Sequence, residues 1–250
     1  MNLIAEAELR VYACGLLVDA VQKLNLPHVV SVTGQLLFHQ YISSSMELMD
    51  QQNVVIPVMG AFWLAAKIEE CPLIAREVIF AFHNILRARK EMPPHSLDVA
   101  SPKYRAFKTA LVMEEKYILR AIGFNLHQFL DDHNPHRYAL YVVKVLGGSA
   151  ELAQSTWNFL NDCAHMDIAL RYKPKAVVAA AIFLAARSLE YPLPVSPMPW
   201  WIILLDSEEE MLDVANDIMA VYKVERKQWI EPVPAKTPGH AHRTFATKWL

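Results

Sequence analysis

Two long apolar stretches, residues 54–66 and 176–186, dominate the hydropathy pattern of the chain. Both are shorter than the roughly 18–20 apolar residues that a membrane-spanning helix needs. Because their apolar positions cover every side of a helix, each pattern is typical of a helix at the centre of a bundle. We therefore predict two buried central helices and no association with a membrane.

The two stretches are copies of each other at a separation of 120 residues. The identical pairs are Val58 with Val178, Ala61 with Ala181, Leu64 with Leu184, Ala65 with Ala185, Ala66 with Ala186, Glu70 with Glu190, Pro72 with Pro192 and Leu73 with Leu193. Lys67 matches Arg187, and Trp63 matches Phe183. Two Ala/Leu-rich helices can resemble each other by composition alone, but the shared cation, glutamate and proline argue against that reading. The repeat predicts two domains of one fold.

Apolar residues spaced three to four apart predict further helices around each central one. In the first unit we expect helices over 9–24 and 30–42, a helix from Pro72 to about residue 89, and one over 104–122 that Gly123 ends. In the second unit, Asn134 and Pro135 begin a helix over 135–146, and helices over 150–166 and 174–190 follow. Ser207 and Glu210 form a capping box that opens a helix to about residue 222.

The predicted fold class is therefore all-α, with two tandem five-helix units, each around a central buried helix. The predicted boundaries are 1–124 for the first unit, 125–133 for a linker, 134–228 for the second unit and 229–250 for a loosely ordered tail.

Composition and charge argue against several classes of function. Only seven glycines occur in 250 residues, and neither nucleotide-loop fingerprint, G-x-G-x-x-G or G-x-x-x-x-G-K, is found. The 24 Lys and Arg residues against 26 Asp and Glu leave a net charge of −2 without a basic stripe, which argues against direct nucleic-acid binding. Three well-separated cysteines and an acidic N-terminal segment predict a soluble intracellular protein with buried thiols.

The chain offers little catalytic chemistry. Residues 127–136 concentrate histidines and aspartates, but Asp131 and Asp132 lack the third acid of the D-D-x-x-D magnesium motif used by all-α prenyl-transfer enzymes. Adjacent acids before a helix are more often solvated than bound to metal. Cys163, near His165, lies on an apolar helical face, where a buried inert thiol is expected. We predict no metal, no cofactor, no small-molecule substrate and no enzymatic activity of the chain itself.

Lys67 and Glu115 are two charged residues in otherwise apolar surroundings. Judged from local pattern alone, Lys67 is a solvated cation at a helix C-terminus and Glu115 belongs to a helix surface. Their significance comes from a family resemblance. Residues 64–72, with the sequence LAAKIEECP, resemble the centre of a cyclin box, and Glu115, ILR at 118–120 and GFNL at 123–126 resemble its second signature.

The resemblance to cyclins covers about residues 9–225. It is greatest to the cyclin L group, a transcription and splicing type of cyclin, and weaker to cyclins K and T. The residues that carry it include TGQLLFH at 33–39, the segment 66–70, and in the second unit AAR at 185–187, PLP at 192–194 and EEE at 208–210. This resemblance implies a nuclear protein.

The resemblance also implies a function without catalysis by this chain. Cyclins activate a cyclin-dependent kinase by binding beside its C helix and rotating it inward, so that the kinase's Lys–Glu ion pair forms. Lys67 and Glu115 match the polar pair that hydrogen-bonds the kinase, and five residues match apolar positions that pack on the kinase helix. These five are Leu64, Ile68, Leu119, Phe124 and Leu126.

One alternative shares the two-unit plan. General transcription factors of the IIB type have two cyclin-like units and bind DNA, but they carry a zinc ribbon and a basic surface that this sequence lacks. Cell-cycle cyclins recruit substrates through a patch in their first helix. The matching stretch here is LRVYA at 9–13, with Leu16 where the patch has tryptophan, so we expect no such docking.

Overall fold

The computed structural model describes residues 3–44 and 54–230, and every regular element in these ranges is a helix. The first five helices are α1 (Leu3–Lys23), α2 (His28–Ser44), α3 (Val55–Ile68), α4 (Ala75–Arg89) and α5 (Pro102–Ile122). They are followed by α6 (Leu126–His133), α7 (His136–Val145), α8 (Ala150–Cys163), α9 (Ile168–Arg171) and α10 (Pro174–Ser188), a 3-10 turn (Trp200–Ile203) and α11 (Glu208–Val221). The all-α prediction is confirmed. Within the described residues, no helix combines the length and apolar character that crossing a membrane requires.

The described part of the chain divides into two compact units, one made of residues 3–44, 54–126 and 225–230 and the other of residues 127–224. Two features differ from the predicted boundaries. Most of the predicted linker 125–133 is helix α6, and residues 225–228 group with the first unit instead of the second. Lys227 forms an ion pair with Glu8, and Lys90 lies 4.2 Å over the ring of Trp229, which explains this grouping. Residues 231–250 of the predicted tail lie outside the described residues.

Helix α3 is the central helix of the first unit, as predicted. Eleven of its residues are buried, including Phe62, whose ring packs edge-on against that of Phe82 with 5.5 Å between centroids. Helix α2 packs close beside it at Gly34, where an added Cβ would lie 2.9 Å from Leu17 and 3.6 Å from Ala65. The glycine therefore leaves room for the side chain of Leu17 on α1, while its distance to Ala65 is an ordinary van der Waals contact.

Helix α10 is the corresponding central helix of the second unit. Residues 176–182 are all completely buried, and they pack with residues of α7, α8 and α11 and with Trp200 of the 3-10 turn. A run of alanines on this helix lets the surrounding helices approach closely, so that every side of the helix is covered. This is the arrangement that its all-apolar sequence pattern predicts.

The sequence repeat is also a structural repeat. Glu70 and Glu190, 120 positions apart, both have left-handed backbone, with φ of 55° and 51°. Directly after them, the amides of Cys71 and Tyr191 each donate a hydrogen bond of 2.8 Å, to the carbonyls of Ala66 and Ala186. The two central helices thus end with the same backbone hydrogen bond.

Helix ends differ from prediction where side chains and local turns decide them. Helix α4 begins at Ala75 and not at Pro72, because the Glu77 carboxylate accepts a hydrogen bond of 2.9 Å from the amide of Ile74 and closes the first turn there. Helix α7 begins at His136, one residue later than predicted, with Pro135 at the N-cap position, and the Asn134 side chain accepts a hydrogen bond of 3.0 Å from the amide of His136. Ser207 caps α11, but its hydroxyl oxygen accepts from the amide of Glu209 and not from that of Glu210.

Candidate functional site

Lys67 and Glu115 come together in the structure. Lys67 lies in the last turn of α3, and its Nζ is 2.6 Å from Oε1 of Glu115 on α5. The lysine side chain is 38% exposed and the glutamate side chain 15% exposed. A cation at a helix C-terminus interacts favourably with the helix dipole, and the ion pair adds a second favourable interaction. The pair therefore lies fixed at the surface, with donor and acceptor groups accessible to a partner.

Trp63 is a member of this site that sequence reasoning noted only as part of the repeat. Its ring lies one helical turn before Lys67, and the lysine Nζ is 3.6 Å from the ring centroid. The indole Nε1 donates a hydrogen bond of 2.8 Å to the carbonyl of Leu73, which fixes the ring. Lys67 is thus held between an aromatic face and a carboxylate, two interactions that restrict its rotamers. The i, i+4 spacing of Trp63 and Lys67 was the signal for this contact.

Gly60 brings α3 and α5 close enough for the pair to form. An added Cβ at this position would lie 3.0 Å from both Cγ of Glu114 and Cδ1 of Ile118. Since Glu114 is the neighbour of Glu115, the close approach of the two backbones places Glu115 within reach of the end of α3.

The end of α3 is also attached to α2. The hydroxyl of Thr33, which is buried, donates a hydrogen bond of 2.5 Å to the carboxylate of Glu69. Glu69 is the C-cap residue of α3, and its amide donates to the carbonyl of Ala65 at 2.9 Å. Because α2 and α5 both contact the helix end, Lys67 and Ile68 are presented by a rigid support.

The apolar candidates fall into two groups. Ile68, Leu119 and Leu126 are half-buried, so each has surface available to a partner. Phe124 is the most exposed of the set, with 65% of its surface accessible. Leu64 is different: only 4% of it is exposed, because it faces the interior of the first unit. Leu64 therefore offers little surface to a partner, and its contact with a kinase stays a prediction.

The backbone turns Phe124 outward. Gly123 has φ of 77° and donates to the carbonyl of Arg120, and the amide of Phe124 donates to the carbonyl of Leu119 at 3.0 Å. These two bonds form a Schellman motif, the predicted glycine termination of α5. Phe124 itself has φ of 63°, a conformation that costs a bulky residue roughly 1–2 kcal/mol. An exposed aromatic in a strained turn is typical of a binding residue.

Comparison with known proteins finds relatives over most of the chain. No protein-family model matches the chain. Cyclin-L1-1 of Arabidopsis thaliana is 33% identical over 227 residues, covering 90% of this chain and 52% of that protein. Cyclin-L1 of Homo sapiens is 31% identical over 224 residues, covering 89% of this chain and 41% of that protein. Cyclin-L2 of Rattus norvegicus is 32% identical over 254 residues, covering 96% and 47%. The chain belongs to the cyclin family.

The chain spans about half the length of these cyclin L relatives. Among solved structures, a chain in the crystal structure of the yeast RNA Pol II CTD kinase CTDK-1 complex matches with a TM-score of 0.66 and 14% identity. The match covers 97% of this chain and 75% of that one, and it shows that the fold is shared. The two helical units are thus two cyclin boxes, although the second has α6 and the short α9 in addition to the predicted helices.

The remaining polar candidates of this cyclin have structural partners. His127 and Arg137 both pair with Asp131, and Nδ1 of His133 lies 2.8 Å from the carbonyl of Phe129. Within residues 3–44 and 54–230, no three His, Cys, Asp or Glu side chains are grouped as metal ligands. The residues 127–136 therefore form an ion-paired helix and its turn.

Two of the cysteines are buried thiols. Cys14 and Cys163 are inaccessible to solvent. Burial, with a smaller effect of the Asp162 charge, raises the pKa of Cys163 to about 12, and burial raises the pKa of Cys14 above its usual range. A thiol that stays protonated and enclosed is a poor nucleophile.

Proposed function

We propose that this cyclin is the regulatory subunit of a cyclin-dependent kinase, and that Lys67 and Glu115 form the polar centre of its kinase-binding surface. The observation that supports this most is the ion pair of 2.6 Å held at the end of the central helix by α2, α5 and Trp63. The half-buried Ile68, Leu119 and Leu126 and the exposed Phe124 supply apolar area around it. Apolar anchors beside fixed polar groups are the usual composition of an interface centre.

In the proposed complex the chain supplies shape and no reacting group. The kinase C helix packs on the four apolar residues, while Lys67 and Glu115 hydrogen-bond the segment that precedes it. Since the kinase needs its C helix turned inward to form its own Lys–Glu ion pair, binding energy gained on this surface favours the active arrangement. The kinase itself holds the nucleotide and transfers the phosphoryl group.

We further propose that the kinase complex acts in transcription or pre-mRNA splicing and that the chain is nuclear. Similarity to cyclin L proteins over nine-tenths of the chain supports this class. The first helix supports it too, because residues 9–13 and Leu16, which match the substrate-docking patch of cell-cycle cyclins, are buried. A nuclear location is tested by imaging the tagged chain in its native cell.

Affinity capture of the tagged chain from its native cell, followed by mass spectrometry, tests the kinase partner. Wild type should recover a cyclin-dependent kinase, and the double variant Lys67→Ala with Glu115→Ala should lose it. An exposed ion pair contributes at most about 1 kcal/mol to stability, so the helical circular dichroism spectrum should stay unchanged. Buried charge-assisted contacts across an interface cost roughly 2–5 kcal/mol to truncate, enough to abolish capture.

The matched control is Arg187→Ala. Arg187 occupies the same place in the second box, with its guanidinium 5.6 Å from the ring of Phe183, and it should leave capture intact. If the double variant still captures the kinase, the site assignment is wrong. If wild type captures no kinase, the proposed function is wrong.

A further inference from the structure

Four basic side chains converge in the first cyclin box, well away from Lys67 and Glu115. His83 and Arg87 lie one turn apart on α4 and so share a face of that helix. The ring of His95, in the loop after α4, lies 6.1 Å from the ring of His83, centroid to centroid. Lys103 lies in the first turn of α5, whose Tyr104 packs on Phe80 of α4 with 6.2 Å between ring centroids.

The loop that carries His95 is fixed against α4. Nε of Arg87 donates a hydrogen bond of 2.8 Å to the carbonyl of Pro93. The nearby acid of the loop, Asp98, is engaged with the backbone: its carboxylate accepts from the amide of Ala100 at 2.9 Å. The hydrogen bond between Arg87 and Pro93 therefore attaches the loop to α4, which keeps His95 close to the other basic side chains.

The groups repel one another electrostatically. Burial, and after it the charges of Lys103, Arg87 and His95, together lower the pKa of His83 to about 4. Burial, followed by the charge of Arg87, also lowers the pKa of Lys103. Because gathering like charges costs free energy, such a cluster is expected where an anion is to be bound.

We propose that Arg87, His95 and Lys103, next to the buried ring of His83, form a binding site for a phosphorylated serine or threonine side chain. Arg offers paired N–H donors that match phosphate oxygens, and Lys adds a point charge. Arg87 and Lys103 are half-buried and His95 is exposed, so a phosphate group can reach them from solvent. The site is compact, which suits one phosphate group. A nucleic acid backbone needs an extended basic stripe, and the chain's net charge is −2.

This site is separate from the proposed kinase-binding surface. Lys103 precedes Glu115 by twelve residues on the same helix. At 1.5 Å per residue this is about 18 Å along α5. A phosphorylated segment could therefore bind here while the kinase occupies the other end of the helix.

The test is a titration of the whole chain followed through the histidine ring signals in the NMR spectrum. The probes are a five-residue peptide with a central phosphoserine flanked by alanines, the same peptide without phosphate, inorganic phosphate, and an eight-nucleotide oligouridylate. The phosphopeptide should shift the His83 and His95 signals, and the unphosphorylated peptide should not. Arg87→Gln and Lys103→Gln should each weaken phosphopeptide binding at least about tenfold.

The matched control is Lys108→Gln, which removes the same charge from an exposed position of α5 and should change binding less than about twofold. Circular dichroism checks that each variant is folded. If Arg87→Gln is unfolded, Lys103→Gln alone provides the test. Equal binding by all variants would contradict the site. Inorganic phosphate binding as tightly as the phosphopeptide would contradict the peptide ligand. Tighter binding of oligouridylate, lost in the same variants, would assign the site to nucleic acid instead.

Discussion

At the scale of single residues, Phe124 is the clearest example of a side chain that we expect to contribute to binding and not to stability. Its backbone is left-handed, its ring is largely exposed, and neither property stabilises the cyclin box. Lys67 differs, because its ammonium group interacts with Trp63 and Glu115 within the chain itself. Local sequence could predict the turn at Gly123 but not the exposure of the phenylalanine after it, since exposure depends on how the chain continues past α5.

Phe124→Asn should therefore raise or preserve stability while weakening the kinase complex. Asparagine tolerates left-handed backbone better than phenylalanine, so we expect a change in unfolding free energy between 0 and about +1 kcal/mol. Loss of the aromatic anchor should weaken kinase binding at least about tenfold. Chemical denaturation and a binding titration with the captured kinase measure the two effects. The control is Tyr141→Asn, an exposed aromatic of the second box, which should leave kinase binding unchanged. A variant of Phe124 that loses stability but binds normally would contradict this role.

His83 predicts how the stability of the first box depends on pH. Its pKa in the folded chain is about 4, below the 6.5 of an ordinary histidine, mainly because the ring is buried. Between these values the unfolded chain binds the proton and the folded chain does not, so stability falls as pH drops from about 6.5 toward 4. The expected loss from this residue is on the order of 1 to 3 kcal/mol.

Denaturant unfolding in phosphate-free buffer at pH 7.5, 5.5 and 4.5 measures this dependence. His83→Gln should reduce the loss of stability between pH 7.5 and 4.5, because the substituted side chain does not titrate. An identical pH dependence in wild type and His83→Gln would show that the histidine does not resist protonation in the folded chain.

At the scale of elements, the spacing of α3 and α5 determines the candidate site. Hydrophobic periodicity predicted all five helices of the first box, because their buried faces repeat along the chain. It could not place the start of α4, which depends on the reach of Glu77 to the amide of Ile74. Nor could it tell that Leu64 belongs to the core, since an all-apolar helix gives no indication of which side a partner would cover.

Gly60→Ala tests the importance of that spacing. The new methyl group would lie 3.0 Å from side-chain atoms of Glu114 and Ile118 on α5, so these side chains must give way by a few tenths of an ångström. Overpacking of this kind costs about 1–3 kcal/mol of unfolding free energy. Gly15→Ala is the control, because there the methyl group would meet only the far end of the Arg89 side chain, at 3.0 Å. If Gly15→Ala destabilised the protein as much as Gly60→Ala, the close contact between α3 and α5 would not be the cause of the destabilisation.

At the scale of the whole molecule, the repeat was the most informative feature of the sequence. A separation of 120 residues indicated two units, and the matching backbone at Glu70 and Glu190 shows that the repeat extends to hydrogen-bond geometry. The return of residues 225–230 to the first unit had no local signal, since Lys227 and its partner Glu8 lie at opposite ends of the chain. The assignment of Lys67 and Glu115 came from family resemblance, because the local pattern alone fits a solvated helix end.

Kinase activation by the purified chain is the measurement that tests the central claim most directly. The kinase captured by the wild-type chain is separated from it, and the rate of phosphoryl transfer to a peptide substrate is measured after each variant is added back. Wild type and Arg187→Ala should both restore activity, and the double variant Lys67→Ala with Glu115→Ala should leave the kinase at its basal rate. Full activation by the double variant, or no activation by wild type, would contradict the account.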